Sequence, residues 1–221
     1  MIKLALLECA VAILILVVPA IGWADDCPIE RVQKLTKDCG SDDNTWSRLY
    51  LMDAADACFA KLVAVCRTLA EHDNSFAQSN LGQMYEFGLG VKTDVYEAKR
   101  WLLKAAEKGG PSAQLLVGLL YSGAGNWGDA TSPIKDDVEA AKWFKKAADQ
   151  SNGEAQYHLG ISYEIGGGVP KDYVLAYMWY NLAAVTFDTA ATARGELEKQ
   201  MTADQIAEAQ KLTREWKPPA P

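Results

Sequence analysis

Apolar and small residues between Ala77 and Gly109 fall at intervals that recur twice further along the chain. Ala77 returns as Ala113 and Ala155, and Leu81-Gly82 as Val117-Gly118 and Leu159-Gly160. Tyr85 returns as Tyr121 and Tyr163, Trp101 as Trp143 and Trp179, and Ala105-Ala106 as Ala147-Ala148 and Ala183-Ala184. Self-similarity at a period of roughly 20–50 residues marks a solenoid, in which no single unit can bury its apolar face alone.

Each unit predicts two helices. Helix A carries Leu81, Gly82 and Tyr85. A glycine inside a helix costs about 1 kcal/mol against alanine, so its return at Gly118 and Gly160 predicts a crossing helix that leaves no room for a side chain. Gly88 and Gly90 permit a tight turn. Asp94 and Glu97 then open helix B with a cap and an acidic first turn. Ala98, Trp101 and Ala105 share one face of helix B, with the Trp filling volume between close-packed alanines. Asn74, Gly110 and Asn152 occupy the position that starts each unit.

The flanks are helical as well. In 25–73, Pro28 opens a helix with Ile29, Val32 and Leu35 on one face and Gly40 after it. A second helix is predicted from Thr45 to Ala55 and a third from Phe59 to Glu71, the third presenting Leu62, Cys66 and Leu69. Leu69-Ala70-Glu71 matches Ala105-Ala106-Glu107, so this region contains a degenerate first repeat. After the third unit, a helix starting near Thr189 is expected to break at Gly195. Thr202 and Gln205 then form a capping box for a last helix with Ile206, Ala209 and Leu212 on one face. The predicted division is 1–24 leader, 25–73 cap with degenerate repeat, 74–109, 110–151 and 152–187 as three repeats, 188–216 as capping helices, and 217–221 as a Pro-rich tail.

The pattern Ala-x3-Leu-Gly-x2-Tyr-x2-Gly-x-Gly-Val-x2-Asp-x3-Ala-x2-Trp-x3-Ala-Ala resembles the Sel-one-like repeat, a relative of the tetratricopeptide repeat. It is complete at Ala77–Ala106. At Ala155–Ala184 it is nearly so, with Gly166, Gly168-Val169, Asp172 and Ala176 in place. The resemblance implies an all-α solenoid of α-α hairpins wound into a right-handed superhelix. It also implies a scaffolding role with a protein partner and no cofactor. The ending Met201-Thr202-x2-Gln205-Ile206-x2-Ala209-Gln210 is similar to that of exported bacterial members. Some Cys-rich relatives are described as β-lactamases, which keeps open a second reading as a cell-envelope enzyme or cell-wall ligand-binding protein. Those relatives hold disulfides within each repeat, and the three repeats here contain no Cys.

The middle repeat departs from the pattern. Tyr85 to Asp94 and Tyr163 to Asp172 are nine positions each, whereas Tyr121 to Asp136 is fifteen, an insertion of six. It falls in the A–B loop, 122–133. Gly123-x-Gly125-x-x-Gly128 within it matches the dinucleotide fingerprint literally, but that motif needs a preceding strand inside a βαβ unit; here a helix precedes it. Leu115, Leu116 and Leu119 stand where the first repeat has Ser79, Asn80 and Gln83 and the third has Tyr157, His158 and Ile161. The leucines are expected to form an exposed apolar patch beside the inserted Trp127, and contiguous apolar surface with an aromatic anchor marks a binding site. With Tyr157 and His158 they make up the candidate partner-binding face. The competing expectation is that Trp127 folds back over the leucines or that they pack on the N-terminal cap. His158 itself reads as an exposed helical histidine.

Charge and the leader narrow the setting. A net charge of -7 over 221 residues argues against nucleic acid and anionic lipid as main partners. In 1–24, Lys3, the apolar run Ala10–Val18, the breakers Pro19 and Gly22, and Gly22-Trp23-Ala24 read as a secretory signal peptide. An uncleaved anchor is the alternative, although Glu8 and Pro19 interrupt the roughly 20-residue span this requires. Cys9 leaves with the leader, and Glu8-Cys9 precedes the apolar run, so no lipoprotein signal is read there. A periplasmic or secreted monomer, with no membrane insertion after cleavage, is expected.

Four cysteines remain, and an oxidising compartment favours disulfides. No C-x-x-C pair occurs, so zinc is disfavoured. Cys58 and Cys66 on one helix would be roughly 12 Å apart, too far to bridge. An up-down-up arrangement pairs Cys27 with Cys58 and Cys39 with Cys66, and the nested alternative pairs Cys27 with Cys66 and Cys39 with Cys58. No catalytic motif is present, and His72 and His158 are the only histidines.

Overall fold

The structure, a computed structural model, describes residues 56–123 and 134–219, with side chains from residue 60 onward. Among the described residues there are nine helices and no strand. They are α1 (Asp56–Glu71), α2 (Ser75–Phe87), α3 (Val95–Ala106), α4 (Pro111–Ser122), α5 (Asp137–Asp149), α6 (Gly153–Ile165), α7 (Tyr173–Ala183), α8 (Thr189–Glu198) and α9 (Ala203–Glu215). Helices α2 and α3, α4 and α5, and α6 and α7 pack as hairpins. Each hairpin stacks on the next through α3 against α4 and α5 against α6; α1 packs on α2, and α8 and α9 close on α7. The chain is an all-α repeat solenoid.

Local chemistry repeats with the fold. Asp94, Asp136 and Asp172 each start a B helix from extended backbone and accept from two main-chain N–H groups of the first turn, which satisfies donors that the helix cannot. Asn74 and Asn152 cap α2 and α6 through Ala77 and Ala155 N–H. Gly110 has no side chain to cap α4, and Pro111 follows it at the first turn, where the missing N–H is no loss. The A helices end in left-handed glycines, Gly88, Gly123 and Gly166.

The helix-interior glycines do what their recurrence predicts. A Cβ on Gly82 would lie 2.6 Å from the Leu102 side chain, one on Gly118 2.5 Å from the Phe144 ring, and one on Gly160 2.6 Å from the Tyr180 ring. Leu102, Phe144 and Tyr180 are the same position in three repeats, the residue after the recurring Trp. Missing side chains on helix A thus admit large ones from helix B.

A second recurring device joins successive repeats. The Nε2 amides of Gln78, Gln114 and Gln156, all buried, donate to the carbonyls of Ala70, Ala106 and Ala148 at 3.0, 3.4 and 3.2 Å. Each glutamine reaches back to the last turn of the preceding helix, where carbonyls lack helical partners. Gln78 treats Ala70 as Gln114 treats Ala106, so α1 stacks as the B helix of a preceding unit.

The observed helices differ from the expected ones in two places. Helix α1 begins at Asp56, ahead of the expected Phe59, and therefore carries both Cys58 and Cys66. Helix α8 runs straight through Gly195. That glycine is exposed, and a Cβ added there would meet nothing within 4 Å, while buried Ala190 and Leu197 hold the helix in place from either side; their packing outweighs a propensity cost of about 1 kcal/mol. The capping box of Thr202 and Gln205 is formed. The predicted helices of 25–55, together with Cys27 and Cys39, lie outside the described residues.

Candidate functional site

Helix α4 presents Leu115, Leu116 and Leu119, and α6 presents Tyr157 and His158. The expected exposed leucine patch is not what the fold makes. Leu115 is 7% exposed and belongs to a core cluster with Phe144, Leu159 and Trp179. Leu119 is half-buried against that cluster, and Leu116 is half-buried against the preceding one, around Leu102, Val117 and Trp143. The physical reason is that α4 belongs to an interior repeat. These positions face the seams with both neighbours, and even the polar Asn80 of the first repeat is buried there. Trp127 lies outside the described residues.

His158 is also not the exposed helical histidine that the sequence led us to expect. Its ring stacks on Phe144, with centroids 5.1 Å apart and planes 15° off parallel. Tyr157 meets it edge-on at 5.4 Å and continues to Tyr180 at 5.7 Å and Phe187 at 5.2 Å. Burial disfavours the charged imidazole and pulls its pKa down to about 4, so the ring is neutral at physiological pH.

Phe144 organises this region: it fills the gap at Gly118 on α4 and stacks on His158 of α6. The fold thus gathers Leu115, Leu119 and His158 around Phe144, with Leu116 in the layer before and Tyr157 in the layer after. Sequence reasoning missed Phe144, although a signal was available in the large residue that follows the Trp of every repeat. It also missed the glutamine links, which recur at one offset.

The Tyr180 hydroxyl donates to Glu164 Oε2 at 2.6 Å, and burial and that carboxylate raise its pKa above the usual tyrosine range. Burial likewise raises the Glu154 carboxyl. Among the described residues, no three His, Cys, Asp or Glu side chains come together as a metal site. No described helix is long and apolar enough to cross a membrane. What α4 and α6 offer is half-buried apolar and aromatic edges with a neutral imidazole.

The Sel1 repeat family model matches residues 75–110, 111–152 and 153–184. The chain is similar to the crystal structure of a Sel1 repeat protein from Oxalobacter formigenes, with 33% identity and a TM-score of 0.56, over 68% of this chain and 58% of that one. A second similar structure is c5321, a protective antigen of uropathogenic Escherichia coli displaying an SLR fold, with 26% identity and a TM-score of 0.40 over 85% of this chain and 52% of that one. The chain thus spans between half and two thirds of the length of these structures. No curated protein matches it. The three matched repeats, each a hairpin stacked on the next, make this chain a member of the Sel1 repeat family.

Proposed function

We propose that the chain is an exported scaffold or adaptor that binds a protein partner and performs no catalysis of its own, using no cofactor or metal. Sel1 repeat proteins mediate protein–protein interaction, and the observation that carries the reading here is the seam on α4 and α6. Half-buried Leu116, Leu119, Tyr157 and His158 leave apolar edges at the surface of a rigid stack. Trp127, in the segment that follows α4, is the expected side wall.

Export rests on the leader 1–24 and on Cys66, which is fully buried and disulfide-bonded. The partner cysteine lies outside the described side chains. Cys58 shares α1 with Cys66, so the bridge runs to Cys27 or Cys39, and we favour Cys39–Cys66 with Cys27–Cys58. The mature chain works as a periplasmic or secreted monomer.

The test captures partners from envelope extract on the purified chain and repeats the capture with the Leu116→Asp, Leu119→Asp double variant, alongside thermal unfolding. A folded variant that loses the partner supports the face. A folded variant that still captures it places the face elsewhere, and a wild-type chain that captures nothing specific overturns the scaffold reading.

A further inference from the structure

A cavity of about 400 Å³ opens between the end of α1, the start of α2 and the outer face of α3. It lies in the repeat before the α4–α6 seam, and two deeply buried polar groups among its lining residues have no partner. Trp101, 4% exposed, leaves its indole Nε1–H unused, and Gln78, 3% exposed, leaves Oε1 unused. The orientation of the Gln78 amide is fixed, because Nε2 donates to the Ala70 carbonyl and to Asp73 Oδ1; the free atom is therefore an acceptor. Buried polar groups are almost always hydrogen-bonded, so an unsatisfied donor and an unsatisfied acceptor among the residues lining one cavity need an explanation.

The next repeat shows what is missing. There Gln114 makes the same link to the preceding helix, and its Oε1 accepts from Gln150 Nε2 at 2.8 Å. The residue equivalent to Gln150 is Lys108. Lys108 turns away, and its ammonium donates to the Asp73 carbonyl and carboxylate instead. The first repeat has therefore replaced the group that closes the hydrogen bond with one that leaves it open. Lys104, exposed and 4.7 Å over the Trp101 ring, roofs the indole with a flexible side chain.

We propose that this cavity binds the main-chain amide of a polypeptide segment. A peptide unit carries an acceptor and a donor side by side. Its carbonyl accepts from Trp101 Nε1–H, its N–H donates to Gln78 Oε1, and Lys104 swings off the ring to admit it. The volume lies at the small end of ligand pockets and suits a few residues of chain. This site is separate from the α4–α6 face and does not depend on it.

The experiment uses the full mature chain with 15N-labelled tryptophan and follows the Trp101 indole N–H resonance, assigned with Trp101→Phe, during titration with the capped tripeptide acetyl-Ala-Ala-Ala-amide. A saturable shift of that resonance is expected. Lys108→Gln places the residue found in the second repeat where it can fill the Gln78 acceptor, and should weaken the tripeptide about five- to tenfold, the value of one hydrogen bond, without lowering the melting temperature. No shift in the wild type overturns the proposal, and so does a shift that survives Lys108→Gln at full affinity. An equal or stronger response to N-acetylglucosamine, which offers an amide without a peptide, overturns the assignment to polypeptide.

Discussion

The Asp136 N–H donates to the Tyr121 carbonyl at 2.9 Å, across fifteen positions of chain. Asp94 bonds Tyr85 and Asp172 bonds Tyr163 at the same 2.9 Å across nine. The six-residue insertion therefore leaves the base of its hairpin unaltered, and α5 starts from the same capped Asp as its counterparts.

Replacing residues 122–135 by the eight residues Glu164 to Lys171 of the third repeat should consequently leave the fold intact. Shortening the closed loop from fourteen to eight residues gains about 0.5 kcal/mol, while Pro170 takes the place of buried Ile134 two residues before the capping Asp. Urea unfolding should place the variant within about 1 kcal/mol of wild type. A larger loss would mean that the insertion packs on the solenoid. Unchanged stability with lost partner capture would assign the insertion to the binding face.

Gly118→Ala should cost more than Gly82→Ala. Both gain about 1 kcal/mol of helix propensity, but the new Cβ meets the rigid Phe144 ring at Gly118 and a more adaptable leucine at Gly82. Overpacking costs typically 1–3 kcal/mol. Gly118→Ala should thus be net destabilising by about 1–2 kcal/mol and Gly82→Ala near neutral, as read from denaturation midpoints. The reverse order would show that Phe144 moves freely and that the α4–α5 crossing is loose.

Gly168→Ala should be worse than Gly166→Ala, although both glycines have positive φ, 74° and 77°. A Cβ on Gly166 reaches only ordinary contact with Lys171, at 3.4 Å. On Gly168 it would land on the Asp137 carbonyl and come within 2.7 Å of Val138 N, and neither backbone group can step aside. Gly166→Ala should cost about 1 kcal/mol of conformational strain, whereas Gly168→Ala should also part α5 from the turn of the third repeat. Equal melting temperatures for the two variants would refute this.

His158 should give the protein a pH-dependent stability. Its folded pKa of about 4 lies below the unfolded value of 6.5, so between these pH values the unfolded chain binds a proton that the folded chain refuses. Stability is therefore full above pH 6.5, falls as pH drops towards 4, and loses no more to this residue below that. At about 1.4 kcal/mol per unit, the loss reaches at most about 3 kcal/mol. His158→Phe keeps a ring on Phe144 and should remove this slope. A variant with the wild-type pH profile would assign the acid sensitivity to other groups; Glu154 is not one of them, because its raised pKa favours the folded state as pH falls.

The sequence by itself determined the parts of this protein that are local. Three hairpins, their Asp caps, the left-handed glycine turns and the Thr202 capping box are properties of a few neighbouring residues, and repetition made them legible without any contact map. The glycines of the A helices were legible for the same reason, because a costly residue that returns three times implies a crossing. What only the tertiary structure decided is which face each repeat turns to the next. Leu115 is core and His158 is half-buried because Phe144, on a different helix from either, stands between them. Gln78 has an empty acceptor because Lys108, thirty positions away, bonds Asp73 instead. Burial and hydrogen-bond satisfaction depend on what the neighbouring helix places opposite a residue, and helical periodicity carries no record of that.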